Sequence, residues 1–326
     1  MSKVKLVNFT PTPTEMIVSL LSSQTDMSNT EVVSFPPQLT EEEVCKAVND
    51  ATLIITYPLA SKITRKILEE AKKLKLIQCT SVGYDHVDME AATALKISVA
   101  NTPEWPTTAV AEHTIMLTLM VLKSALYSYT KTVQNDWKPG ESTRLLSDMR
   151  ELRGKTLGIL GLGSIGREVA RLASAFGANI IYYNRRRISG DEEKSLGVEY
   201  RTFERLLKES DILSLHVPLT EETHGMVGKD EIEKMKNGAF LVNTARKEVV
   251  DEVAVFEALK SRKLFGFGTD FEPDFPLTGI DFIVMTPHIA GLTRESLARN
   301  NRQVMDNICR FLEGDKPLYL VNDIWT

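Results

Sequence analysis

Three glycines, at positions 161, 163 and 166, carry the first chemistry legible in this chain. Residues 155–160 (KTLGIL) read as a strand, Gly161-Leu162-Gly163-Ser164-Ile165-Gly166 follows, and residues 167–176 continue as a helix. A lone glycine triplet is weak evidence, but between a strand and a helix it stands where a dinucleotide pyrophosphate needs it. Gly161 permits the tight turn, Gly163 lets the backbone approach the phosphates, and Gly166 lets helix and strand pack closely. The free N–H groups at the helix start, around Ser164 and Ile165, then face the anion with the helix dipole behind them.

The next strand, residues 178–183, ends in Asn184-Arg185-Arg186-Arg187. An Asp or Glu at that point would accept a hydrogen bond from the ribose 2′-hydroxyl of NAD. Here the acid is missing and guanidiniums take its place. Charge-assisted hydrogen bonds are worth roughly 1.5–3 kcal/mol each, so two of them to a 2′-phosphate suffice for a preference. The expected cofactor is NADP, with NAD possible. The competing reading is a solvated basic turn.

Six short pieces in one order resemble the D-2-hydroxyacid dehydrogenases, the formate, glycerate and glyoxylate/hydroxypyruvate group. They are Thr80-Ser81-Val82-Gly83-Tyr84-Asp85-His86-Val87-Asp88, Val110-Ala111-Glu112-His113, the glycine loop, His216-Val217-Pro218-Leu219-Thr220, Asn243-Thr244-Ala245-Arg246, and Thr286-Pro287-His288-Ile289-Ala290-Gly291. The resemblance implies that Arg246 grips a substrate carboxylate and that His288 is the general acid/base. It implies that Ser81, Val82 and Gly83 add a backbone grip on the carboxylate. It puts Asp270 near the nicotinamide and Val217, Pro218, Thr223, Thr244 and Ala245 along the cofactor crevice. Planar Arg suits a bidentate carboxylate, and His suits reversible proton transfer near neutrality. The family also has a glutamate, usually in a Glu-Pro pair, that hydrogen-bonds the histidine. The stretch between Asp270 and His288 is shorter here than usual in the family, which leaves Glu272 as the first choice, Asp274 as the second, and Phe275 at that place in an ungapped count.

Those residues need strand ends to hold them. Residues 3–9, 31–35, 51–57, 76–80 and 97–100 read as strands alternating with helices near 15–22, after Thr40, at 63–74 and at 88–95. A second α/β series opens at Lys155 and runs to about Pro287. Such alternation predicts parallel βαβ units and doubly wound sheets. The expected α/β architecture is two Rossmann-like domains: a flavodoxin-like substrate domain, residues 1–103 and 288–326, and a dinucleotide-binding domain, residues 104–287. Residues 108–131 read as the longest helix, apolar almost all round and therefore buried at a domain or subunit junction.

Composition bounds the rest. The 326 residues are 43% hydrophobic and 25% charged, enough for two cores, and the net charge of −5 argues against a non-specific nucleic-acid binder. Cys45, Cys79 and Cys309 form no zinc or disulfide pattern. The first apolar run is too short for a signal peptide and no window spans a bilayer, which points to a cytoplasmic protein. The resemblance further implies a homodimer built on the cofactor domains. The reading is a reductase of small 2-oxo acids of the glyoxylate or hydroxypyruvate type. Oxidation of formate or another substrate on the same scaffold stays open. So does a different class, a dinucleotide-gated corepressor-like binding protein.

Overall fold

A computed structural model describes residues 3–272, 274, 282–322, 324 and 325, apart from the side chain of Arg144. The chain forms two compact units, Met1–Trp105 with Arg294–Thr326, and Pro106–Thr293.

In the first unit five parallel strands, β1 (Val4–Asn8), β2 (Thr30–Ser34), β3 (Leu53–Thr56), β4 (Leu76–Cys79) and β5 (Ser98–Ala100), lie in the order β2-β1-β3-β4-β5. This is the flavodoxin-like winding. β3 and β4 are buried along their whole length; the apolar run at 51–57 predicts this for β3, a strand covered on both faces, whereas β4 also buries the polar Gln78. Thr40 caps the helix Glu41–Val48 in a reciprocal box: the Glu43 N–H donates to Thr40 Oγ1 (3.3 Å), and the Thr40 N–H donates to Glu43 (2.8 Å). The helix Arg294–Glu313 buries Val304, Met305 and Ile308 against Leu6, Leu53 and Leu76 of the sheet.

In the second unit β6 (Thr156–Leu160), β7 (Asn179–Tyr183), β8 (Val198–Tyr200), β9 (Ile212–Leu215), β10 (Ala239–Asn243), β11 (Leu264–Thr269) and β12 (Ile283–Met285) form one parallel sheet. Its order is β12-β11-β10-β9-β6-β7-β8, with the winding reversing between β6 and β9. That reversal is the switch point where doubly wound sheets take their ligands.

Two expectations need correction. The single helix expected over 108–131 is two, Thr107–Leu122 and Ala125–Val133, bent by 66°. Ser124 sits between them in the left-handed conformation (φ 50°), which a continuing α-helix excludes. Thr107–Leu122 buries Ala111, Leu117, Thr118 and Val121, as its all-round apolar character predicts. No single helix among the described residues is long and apolar enough to cross a membrane. The other difference is the unit boundary. Residues 288–293, expected with the first domain, lie with the second, because Asp270 ties the segment after β12 to the end of β11. All three cysteines are buried and unpaired.

Candidate active site

Gly161 has φ +98°, and a Cβ there would lie 2.6 Å from the His216 carbonyl oxygen, so the turn admits only glycine. At Gly166 a Cβ would lie 2.3 Å from the Gly161 carbonyl oxygen, which is the close helix–strand approach that the spacing predicts. Gly163 differs: its φ is −79° and a Cβ would meet nothing within 4 Å. Nothing in the fold forbids a side chain there, so the open space suits a ligand. Gly163 is also the N-cap of the helix Ser164–Ala175, and no side chain caps that end. Its first N–H groups are left for an anion. These features fit a dinucleotide pyrophosphate.

Asn184 follows β7, and its Oδ1 accepts the Leu162 N–H at 2.6 Å, which locks the glycine loop to the neighbouring strand end. The three arginines after it have different fates. Arg187 forks onto Glu193 through Nε and Nη2, both at 2.7 Å, and stacks 5.2 Å from the Tyr200 ring centre. The Tyr182 hydroxyl donates to the same carboxylate at 2.7 Å. These donors hold the Glu193 carboxyl down at about 2. Arg187 is thus a structural residue. Arg185 and Arg186 are exposed.

On the other side of β6, the turn after β9 carries Val217, Pro218 and Thr223. Thr223 Oγ1 donates to the Pro218 carbonyl at 2.6 Å and accepts the Thr220 N–H at 2.8 Å, which fixes the turn. The ring of His216 is hydrogen-bonded to Ser214 (2.8 Å), and burial pushes its pKa down to about 3. A histidine neutral at working pH and locked to a serine is a structural part.

Arg246 follows β10. The Asn243 side chain organises that strand end, its Oδ1 accepting the Ala245 N–H (3.0 Å) and its Nδ2 donating to the Arg246 carbonyl (2.8 Å). Arg246 is half-buried and donates to the Ala245 carbonyl at 2.8 Å. Thr244 Oγ1 meets Thr114 Oγ1 of the helix Thr107–Leu122 at 2.9 Å.

Asp270 follows β11 and is 2% exposed. The expectation puts it beside the nicotinamide, and in the structure both its oxygens are engaged within the unit. Oδ1 accepts from Thr286 Oγ1 (2.5 Å) and the Ile289 N–H (2.9 Å), and Oδ2 from the Ala290 N–H (2.8 Å). The His288 N–H donates to the Asp270 carbonyl at 2.9 Å. His113 Nε2 lies 2.8 Å from Thr286 Oγ1. Since that hydroxyl spends its one proton on Asp270, His113 is the donor, which fixes its tautomer. Burial lowers the His113 pKa, and the Asp270 charge opposes that.

His288 itself is exposed, has φ 56°, and packs edge-on to Phe271, ring centres 5.1 Å apart. Of the carboxylates weighed as its partner, Asp274 is drawn to Lys247 (2.6 Å), while Glu272 is exposed; residue 275 lies outside the described residues. The structure therefore gathers Arg246, Asp270 and His288 at the carboxyl ends of three neighbouring strands of one sheet, with the glycine loop at the end of a fourth. Thr286 and His113, which the sequence reading did not single out as site residues, brace this edge.

Ser81, Val82 and Gly83 belong to the first unit, in the loop after β4. Ser81 Oγ donates to the Gly83 carbonyl (2.6 Å) and Asn101 Nδ2 to the Val82 carbonyl (2.8 Å), so the loop is held from within while Val82 stays exposed.

Comparison with known proteins agrees with this fold. Residues 115–290 match the model of the D-isomer specific 2-hydroxyacid dehydrogenase, NAD binding domain. A glyoxylate reductase of Aeropyrum pernix is 38% identical over 314 residues, 94% of this chain and 92% of that protein. The crystal structure of a glyoxylate reductase from Paecilomyes thermophila superposes with a TM-score of 0.88 at 31% identity, covering 99% of each chain. That of D-lactate dehydrogenase from Aquifex aeolicus, complexed with NAD and lactic acid, gives 0.83 at 29% identity over 95% of this chain and 96% of that one. A sheet with its glycine loop at the switch point and these relatives lead to one conclusion: the chain belongs to the D-isomer-specific 2-hydroxyacid dehydrogenase family and is a nicotinamide-dinucleotide-dependent oxidoreductase.

Proposed function

We propose that this chain reduces small 2-oxo acids of the glyoxylate or hydroxypyruvate type to D-2-hydroxy acids, with NADPH preferred over NADH. The observation that carries the reading is the shared strand-end edge: a half-buried arginine, a braced exposed histidine and a phosphate-ready glycine loop on one parallel sheet. The glyoxylate reductases among the relatives support the substrate class.

The bound dinucleotide supplies the hydride. Arg246 pairs its guanidinium with the substrate carboxylate and draws charge onto the carbonyl oxygen. Val82 and Gly83, with Ser81, are proposed as backbone donors to substrate. His288 gives a proton to the oxygen as it gains charge and takes one back in the reverse direction. Glu272 is the proposed partner that keeps the imidazole charged and oriented. Asp270 holds the histidine loop and lies near the nicotinamide. Asn184, Arg185 and Arg186 read the adenosine ribose, with two guanidiniums facing a 2′-phosphate, and Val217, Pro218, Thr223, Thr244 and Ala245 line the crevice. A homodimer built on the cofactor unit is supported by apolar side chains left exposed along 126–146, among them Tyr129, Val133 and Leu146.

The test is initial rates of NADPH and NADH oxidation with glyoxylate, hydroxypyruvate, pyruvate and phenylpyruvate, with His288→Ala as control. Strong NADPH-dependent turnover that collapses in the variant is expected. Equal use of NADH refutes the cofactor preference alone. No turnover with any of the four acids, despite tight cofactor binding, refutes this substrate class and leaves a dinucleotide-gated binding protein or an untested substrate.

A further inference from the structure

The structure assigns to Glu222 a role in choosing between the two dinucleotides: its carboxylate competes with a 2′-phosphate for Arg185 and so restrains selectivity for NADPH. This rests on the cofactor reading above.

The Arg185 guanidinium lies 2.6 Å from the Glu222 carboxylate, and both side chains are largely exposed (76% and 69%). The two residues are far apart in the chain and come from opposite sides of the glycine loop. Arg185 stands two positions beyond β7, and Glu222 stands in the turn after β9 that Thr220, Thr223 and Pro218 fix. β6 lies between β7 and β9 and pairs with both. At the usual strand spacing the pair therefore reaches across a gap of roughly 10 Å, over the strand end that carries the glycine loop. This is the end at which a doubly wound sheet reads the adenosine ribose. The acid missing from position 184 is thus supplied from the neighbouring turn, aimed at the guanidinium and not at the ribose.

Two consequences follow for a 2′-phosphate. It has to draw Arg185 away from Glu222, and it then stands beside an anion whose partner it has taken. Neither cost falls on a 2′-hydroxyl. Arg186 has no carboxylate partner among the described residues and meets no such competition. Exposed ion pairs are weak, so the effect is a factor of about two to five in affinity, and salt screens it.

Dissociation constants for NADPH, NADH, 2′,5′-ADP and 5′-AMP, measured by titration calorimetry on the wild type, Glu222→Gln, Arg185→Ala, Arg186→Ala and the Glu222→Gln/Arg185→Ala double variant, test this. Glu222→Gln is expected to tighten NADPH and 2′,5′-ADP about two- to five-fold, leave NADH and 5′-AMP unchanged, and lose its effect once Arg185 is gone. If Glu222→Gln leaves NADPH affinity unchanged while Arg185→Ala weakens it, the proposal falls and the cofactor reading stands. A change that is the same for phosphorylated and unphosphorylated nucleotides also overturns it. If Arg185→Ala and Arg186→Ala both leave NADPH affinity unchanged, the cofactor reading falls and this proposal with it.

Discussion

The backbone N–H of His288 donates to the carbonyl of Asp270 at 2.9 Å, and the Asp270 side chain takes the next two N–H groups, of Ile289 and Ala290. One buried aspartate thereby sets the backbone of the candidate acid/base on both sides of its Cα. Asp270→Asn keeps the shape but turns an acceptor into a donor opposite a donor. It is expected to cost about 1–3 kcal/mol of stability in denaturant unfolding, the penalty of an unsatisfied buried group. It is also expected to lower kcat far more than the same loss of stability elsewhere. Wild-type kcat in the variant would refute the positioning role.

The glycines of the loop should separate into two kinds. Gly161→Ala sets a Cβ against the His216 carbonyl at positive φ, and a melting temperature several degrees lower is expected. Gly163→Ala has open space and an ordinary φ, so its melting temperature should match the wild type while dinucleotide affinity falls at least several-fold. Calorimetric melting and nucleotide titration of the pair decide the matter.

The arginines should separate as well. Arg186→Ala is expected to weaken NADPH by about tenfold or more, the loss of one charge-assisted hydrogen bond, and to spare NADH and stability. Arg187→Ala should instead lower stability without discriminating between NADPH and NADH, because its partners are Glu193, Tyr182 and Tyr200. A selective loss of NADPH in Arg187→Ala would contradict the structural role.

His216 makes stability depend on pH. Its folded pKa, about 3, lies below the ordinary 6.5, so on acidification the unfolded chain takes up a proton first. The contribution is complete above about pH 6.5 and is lost progressively as pH falls towards 3, by a few kcal/mol in all. In His216→Gln, which keeps a polar group within reach of Ser214, the unfolding free energy should fall less over this window. Parallel wild-type and variant curves would refute it.

Much of this was legible in the residues. The strand–glycine–helix order and the apolar run of β3 foretell a local fold because each depends on neighbours in sequence. What escaped depends on long-range partners. Arg185, Arg186 and Arg187 look equivalent in the chain, and only the return of Glu193 beneath Tyr182 singles out the third. The break at Ser124 carries no proline or glycine to mark it. The placing of His288 with the cofactor unit follows from Asp270, eighteen residues back, whose role as a brace no spacing rule announces. Glu222 is one acid in a polar turn until the sheet order sets it opposite Arg185.

The left-handed backbone at position 288 narrows the set of side chains that can stand there before any chemistry is asked of them. Asparagine, aspartate, histidine and glycine enter that region most readily, and β-branched residues scarcely at all. With the proposed acid/base role, two independent filters, one steric and one protonic, act on a single site, and few of the twenty residues pass both. Asparagine passes the first and fails the second, so His288→Asn is the substitution expected to remove the proposed proton transfer while leaving the loop's shape in place.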